Sequence, residues 1–239
     1  MLGLPEPIRA CLFDLDGVLT DTAAVHRAAW KHVFDAVLAE HDQQPFTEDD
    51  YNDYVDGKPR LAGVRDFLKS RDLDLPEGAD DDAAGTGTVH AIATRKNDEV
   101  QRRIDRDGVE VYPGSRRYLE AAAEAGLCRV VVSSSANTEQ VLRVTGLDRF
   151  IEHRVDGRTI DEQGLAGKPA PDSFLEGARL AGVEPSAAVV FEDATSGVEA
   201  GRRGRFGYVV GINRLDQAHA RNLANDGADV VVDDLSDLL

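Results

Sequence analysis

The chain has 239 residues, 42% hydrophobic and 30% charged, with a formal net charge of −17 from 44 acidic and 27 basic side chains. That length suits one large or two modest domains with a real core, and no stretch approaches the roughly 18–20 apolar residues of a membrane span. The acidic excess disfavours nucleic acid and anionic membranes as partners. It leaves a small anionic substrate open, because salt confines distant charge to about 8–10 Å and a few local cations then decide the matter. Residues Met1 to Arg9 have neither a charged n-region nor an apolar h-region, so no secretory signal is expected. Cys11 and Cys128 sit beside β-like apolar runs and read as buried thiols of a cytoplasmic protein.

In chain order, Ile8 to Phe13 is a short apolar strand that stops at Asp14. From Asp21 to Leu38 the period becomes helical, with Val25, Trp30, Val33, Phe34, Val37 and Leu38 on one stripe. A polar stretch, Glu40 to Asp50, leads to a second segment ending at Gly57, and Pro59 opens a helix through Phe67 and Leu68. Pro76 to Thr88 reads as a solvated, mobile loop before a helix from Val89 to Arg106. Beyond Val111 strands and helices alternate. The strands are Arg129 to Val132, Ala187 to Phe191, Gly207 to Ile212 and Ala228 to Val232, with a polar excursion from His153 to Gly164. Continuously apolar strands separated by helices indicate an α/β fold with a parallel sheet covered on both faces. The first strand needs that sheet for a partner. Residues 1–19 and 111–239 are therefore expected to form one α/β core domain, with 20–110 inserted as a helical domain.

The chemistry gathers where strands end. Asp14 and Asp16 lie two apart and project together in an extended chain, at the carboxyl end of a central strand, where open α/β sheets place ligands; the alternative is a strand-terminating turn. Ser133-Ser134-Ser135-Ala136-Asn137 follows a β-branched strand, and its hydroxyls and helix-start amides suit phosphate oxygens. Asn137 with Gln140 is equally an ordinary capping box. Lys168 stands on a proline-stiffened loop, Gly167 to Asp172, as a ligand or a plain exposed lysine. Glu192 and Asp193 end a buried strand, which is costly for two acids unless they meet cations or water, and magnesium favours such oxygen donors. In the insert, Lys96 falls on the apolar stripe of Val89, Ile92, Val100 and Ile104, either snorkelling outward or reaching into a cleft. His26 and Trp30 share a helix face. Gly57-Lys58-Pro59-Arg60 offers amides and an arginine to an anion, or is a turn. The basic stretch from Gly201 to Gly207 reads as capping plus turn. Neither a Gly-x-Gly-x-x-Gly nor a Gly-x-x-x-x-Gly-Lys-Ser/Thr loop occurs, which removes the phosphate loops of dinucleotide and nucleotide binding.

Taken together, Asp14-Leu15-Asp16-Gly17, Ser133, Lys168 and Glu192-Asp193 resemble the four ordered motifs of the haloacid dehalogenase superfamily. Thr20-Asp21-Thr22, His26, Trp30, Gly57, Arg60, Arg95-Lys96-Asn97-Asp98, Val111-Tyr112-Pro113-Gly114, Ser135, Asn137 and Lys168-Pro169-Ala170-Pro171-Asp172 extend the resemblance to its β-phosphoglucomutase family. The resemblance implies a Rossmann-like core with a helical cap and a cytoplasmic, monomeric enzyme acting on a small phosphosugar. It implies Asp14 as nucleophile, Asp16 as general acid/base, and Ser133 and Lys168 stabilising the transferring oxygens. Mg2+ would be held by Asp14, the Asp16 main-chain oxygen and Asp193, with Glu192 beside them, and glucose 1,6-bisphosphate would serve as activator and intermediate. Arg60, Ser135 and Asn137 match a distal phosphate site, and Lys96 and His26 match positions around the substrate. The chain departs from the family in having Ala136 where a lysine is common and Lys58-Pro59 before Arg60, so Lys58 is a candidate for the missing charge. A phosphatase on the same scaffold is the alternative, and a non-catalytic phosphosugar sensor a more distant one. The acidic loop around Asp80 has no counterpart with an assigned role.

Overall fold

The computed structural model describes residues 2–55, 58 and 60–239, residue 52 by its backbone alone. In chain order the elements begin with β1 (Ala10–Phe13), β2 (Thr20–Asp21), α1 (Ala23–Glu40), α2 (Glu48–Tyr54), α3 (Arg60–Ser70), α4 (Val89–Asp107) and β3 (Glu110–Val111). They continue with α5 (Pro113–Glu124), β4 (Cys128–Val132), α6 (Thr138–Thr145), β5 (His153–Val155), α7 (Gly157–Gln163) and α8 (Asp172–Leu180). The chain closes with β6 (Ala188–Glu192), α9 (Thr195–Arg203), β7 (Tyr208–Ile212), α10 (Gln217–Asn225) and β8 (Val230–Val232). Two compact units result, one of Met1–Thr22 with Val109–Leu239, the other of Ala23–Gly108. Among the described residues no helix is long and apolar enough to cross a membrane.

The first unit is built on a six-stranded sheet in the order β5-β4-β1-β6-β7-β8, every neighbouring pair parallel. β1 is central and fully buried, which explains its unbroken apolar run. On one face Phe13 stacks on Phe191 with centroids 4.5 Å apart, and Tyr118 of α5 meets both rings edge-on. On the other, Leu12 packs with Val130, Val190, Phe174 and Val198. Because β4 and β6 flank β1, with Phe13 level with both Val131 and Phe191, the residues following these three strands emerge side by side.

Two differences from the sequence expectations have plain causes. The helix expected from Asp21 begins at Ala23, because Thr20–Asp21 pairs with Glu110–Val111 as an antiparallel ribbon within the first unit. The polar excursion from His153 to Gly164 is in fact strand β5 and helix α7. β5 is an edge strand of three residues, so it needs no apolar run. Its Arg154 instead pairs with Asp156 at 2.7 Å, and the Asp156 carboxylate accepts the Thr159 amide to cap α7.

The second unit is helical. Phe34 lies at its centre, against Trp30, Phe46 and Phe67 at centroid distances of 5.0, 5.2 and 4.1 Å. Phe46 is held there from both sides of its peptide, its amide donating to Asp35 at 2.8 Å and its carbonyl accepting from Lys31 at 2.9 Å. Thr47 and Asp50 form the capping box of α2, and Arg71 pairs with Asp50. The stretch from Pro76 to Thr88 lies outside helix and strand but is tied down. Thr88 donates to Asp82, and the His90 ring nitrogens face Asp80 at 3.2 Å and Glu77 at 3.5 Å. Replacing the fully buried ring in Phe34→Ala is expected to cost about 3–5 kcal/mol; urea unfolding followed by the fluorescence of Trp30, the single tryptophan, measures it.

Candidate active site

β1 hands the chain directly to the site. The Asp14 amide continues the ladder, donating to the Phe191 carbonyl at 2.9 Å. The chain then folds back at Gly17, whose φ of +86° suits glycine and whose amide donates to the Thr20 carbonyl at 2.8 Å. A β-carbon at Gly17 would fall within the Asp193 carboxylate, so this close approach also demands glycine. The turn separates the two aspartates. Asp14 faces Lys168, while Asp16 accepts from the Thr22 hydroxyl on one oxygen and from Ser133 Oγ at 3.4 Å on the other.

Lys168 is no free surface lysine. Its side chain is 11% exposed, and its ammonium donates to Asp14 Oδ1 at 2.6 Å and to Glu192 Oε1 while lying 4.9 Å from the Phe174 ring centroid. The second Glu192 oxygen accepts the Ala194 amide at 3.0 Å, and Gly197 of α9 lies so close that a β-carbon would overlap the carboxylate. Asp14, Glu192 and Asp193 each offer an oxygen within 4.8 Å of the others, the one such acidic group among the described residues. Burial pushes Asp14 up to about 8 against the pull of Lys168, and burial with the Glu192 and Asp14 charges pushes Asp193 well above the carboxylate range. Burial opposes the Lys168 charge, yet the Asp14 and Glu192 carboxylates raise its pKa above that of an ordinary lysine. All three donors are hard oxygens, and two of them are disfavoured as anions where they stand, so the group fits a divalent cation such as magnesium.

Beside this cluster the chain after β4 forms a compact loop. Ser133 Oγ accepts the Ser135 amide at 3.1 Å, Ser135 Oγ accepts the Asn137 amide at 3.2 Å, and the Ser135 carbonyl accepts from Thr138 Oγ1 and the Gly157 amide. A β-carbon on Gly157 would press on the Ser134 carbonyl and Ala136 amide, so the junction of β5 and α7 moulds this loop. The Asn137 side chain makes no capping bond to α6, so the capping-box alternative is not realised. Ala136 is exposed and Asn137 buried.

In the second unit Lys96 is 6% exposed, not snorkelled into solvent. Its ammonium lies 2.9 Å from His26 Nδ1 and 5.0 Å from the Trp30 ring centroid. An ammonium only donates, so Nδ1 is the acceptor and the ring proton sits on Nε2. Burial, then Lys96 and Arg60, lowers His26 to about 3. Arg60 is the exposed first residue of α3, and Lys58 is paired with Asp66 at 2.7 Å. Gly57 and Pro59 lie outside the described residues.

A family model of haloacid dehalogenase-like hydrolases matches residues 8–205, a span that includes Asp14, Asp16, Ser133, Lys168, Glu192 and Asp193. The chain belongs to this family. A β-phosphoglucomutase of Mycobacterium bovis is 58% identical over 247 residues, covering 100% of this chain and 94% of that protein. The β-phosphoglucomutase of Bacillus subtilis is 31% identical over 232 residues, covering 97% and 92%. Among solved structures, a β-phosphoglucomutase of Clostridium difficile has the same fold, with a TM-score of 0.72 at 24% identity over 97% of this chain and 93% of that one.

Within this haloacid dehalogenase-like chain, sequence reasoning left Thr22 without a role and did not single out Arg214, whose guanidinium reaches the Gly17 and Val18 carbonyls. The available signal was an arginine just past the carboxyl end of a buried strand. For His26, the folded value of about 3 lies below the ordinary 6.5, so between them the unfolded chain binds the extra proton and stability falls as pH drops through that window. NMR titration is expected to show a neutral His26 ring at pH 5, and His26→Gln to flatten the pH dependence of urea unfolding between about pH 6.5 and 4.

Proposed function

We propose that the protein is a magnesium-dependent β-phosphoglucomutase, converting β-D-glucose 1-phosphate to glucose 6-phosphate through β-glucose 1,6-bisphosphate. The observation that carries this reading is the 58% identity to a β-phosphoglucomutase along the entire chain, second unit included.

In this reading an Asp14 oxygen bonds to phosphorus as the bond from phosphorus to the sugar oxygen breaks, giving phosphoaspartate. Asp16 donates a proton to the departing sugar oxygen. In the return step it takes one from the attacking hydroxyl, while the bond from phosphorus to Asp14 breaks. The Thr22 hydroxyl holds the Asp16 carboxyl for this exchange, and Ser133, 3.4 Å from Asp16 in the resting site, turns its one proton to the phosphoryl group. Lys168, already on Asp14 and Glu192, and Ser133 donate to the phosphoryl oxygens as charge builds on them. Asp14, Glu192, Asp193 and the Asp16 main-chain oxygen would hold magnesium, which supplies positive charge against the repulsion between Asp14 and the phosphoryl group. Ser135 and Asn137 would bind the phosphate that is not transferred. For the second unit the reading assigns Arg60 to anion binding and Lys96, with His26 and Trp30 setting its position, to the phosphosugar. Lys58, the candidate for the charge that Ala136 lacks, is paired with Asp66 at an exposed position. The free thiols Cys11 and Cys128 suit a reducing cytoplasm, and no feature of the mechanism requires a second copy of the chain.

The test supplies β-glucose 1-phosphate, magnesium and a trace of glucose 1,6-bisphosphate, following glucose 6-phosphate and inorganic phosphate together. Glucose 6-phosphate is expected with little free phosphate, and Asp14→Asn is expected to lower the rate by about 10⁴-fold or more. Phosphate release without isomerisation would make the enzyme a phosphatase instead.

A further inference from the structure

We propose that Arg214 is a positioning residue for the Asp14–Gly17 turn, acting through peptide carbonyls and touching no reacting group. Arg214 lies just beyond β7, two strands from β1 in the sheet order, so a reach of about 10 Å separates the two strand ends. Its guanidinium crosses that distance. Nε donates to the Gly17 carbonyl at 2.6 Å, one nitrogen reaches the Val18 carbonyl at 3.4 Å, and the other donates to the Asp233 carbonyl at 3.0 Å. The guanidinium carbon lies over the Tyr112 ring, 3.6 Å from its centroid, and the Tyr112 amide donates to the Leu19 carbonyl at 3.1 Å. Ser115 Oγ, one turn into α5, donates to the Val18 carbonyl at 2.6 Å. Tyr112 and Ser115, before and within the start of α5, and Arg214, beyond β7, thus brace the same turn.

The choice of arginine follows from the geometry. Carbonyls pointing in different directions must be satisfied at once, and a planar fork of five donors does this where a lysine ammonium offers a single centre. The anchored Gly17 carbonyl belongs to the residue that follows Asp16 and whose Cα lies against the Asp193 carboxylate. Releasing it would let the Asp16 backbone turn and open the Gly17–Asp193 contact, loosening the acidic group without removing any of its members.

The inference rests on the reading of Asp14, Asp16 and Asp193 as the reacting and metal-holding set. Its test measures Mg2+ binding by calorimetry, and kcat and KM separately, for Arg214→Met, Arg214→Lys and Tyr112→Leu, with thermal melts of each. Arg214→Met is expected to weaken Mg2+ binding and lower kcat by about 10–100-fold each, leaving KM for the phosphosugar within about twofold. Arg214→Lys, which keeps the charge without the fork, should resemble Arg214→Met more than the parent, and Tyr112→Leu should move both quantities the same way by less. Should the methionine variant fail to fold, the lysine variant decides. A folded Arg214→Lys with Mg2+ affinity and kcat within about twofold of the parent overturns the proposal. A parent protein that neither binds Mg2+ nor turns over overturns instead the reading on which it rests.

Discussion

The rest of the first unit depends on one buried electrostatic problem, the convergence of Asp14, Glu192 and Asp193 around a single ammonium, Lys168. Carboxylates within 4.8 Å repel by at least about 3 kcal/mol per pair even at an effective dielectric of 20. Three acids and one lysine leave an excess of two negative charges. Protonation is one way out, and the raised values of Asp14 and Asp193 express it. A divalent cation is the other, and it balances the excess fully. A folded core would discard such a cluster if stability alone were at issue, since burying charge is expensive without complete compensation. Its retention at the ends of the most buried strands is the physical mark of a site.

The sheet makes that convergence possible. With β1 between β4 and β6 and the three strands in register, the residues just past Phe13, Val132 and Phe191 emerge at one edge with no long side chain needed to bring them together. Lys168 alone comes from a loop, and its long stem spans the gap. Glycines supply the remaining closeness. Gly17 admits Asp193, Gly197 admits Glu192 and Gly157 admits the Ser134–Ala136 backbone. At each, an alanine methyl would occupy the space of a group the site uses.

This explains what was legible in the sequence. A buried central strand must be a continuous apolar run, so a polar or charged residue that stops it abruptly marks both the strand end and the candidate site; Asp14, Ser133, Glu192 and Asp193 carry that signal. β5 and α7 carried none, because an edge strand backed by a short capped helix is satisfied by ion pairs and leaves no apolar pattern. The ribbon of Thr20–Asp21 with Glu110–Val111 was invisible for another reason. It joins residues about ninety positions apart in two-residue strands, too short for any period to register. Arg214 was overlooked because its hydrogen-bond partners are backbone carbonyls, which leave no trace in residue identity, so its place past a buried strand was a weak cue.

Lys96 illustrates where pattern ends and chemistry must decide. Its place on the apolar stripe of α4 says that it lies on the buried face, but a lysine there can still snorkel. Among the contacts that keep it inside are two suited to an ammonium, the π face of Trp30 and the lone pair of His26 Nδ1. The second works only while the imidazole is neutral, since a protonated ring would offer a donor and a like charge in place of a lone pair. The lowering of His26 to about 3 secures that condition across the physiological range. A histidine so far from titration is useless as an acid or a base. Its contribution in the second unit is to orient the Lys96 ammonium, as a neutral acceptor facing a cation.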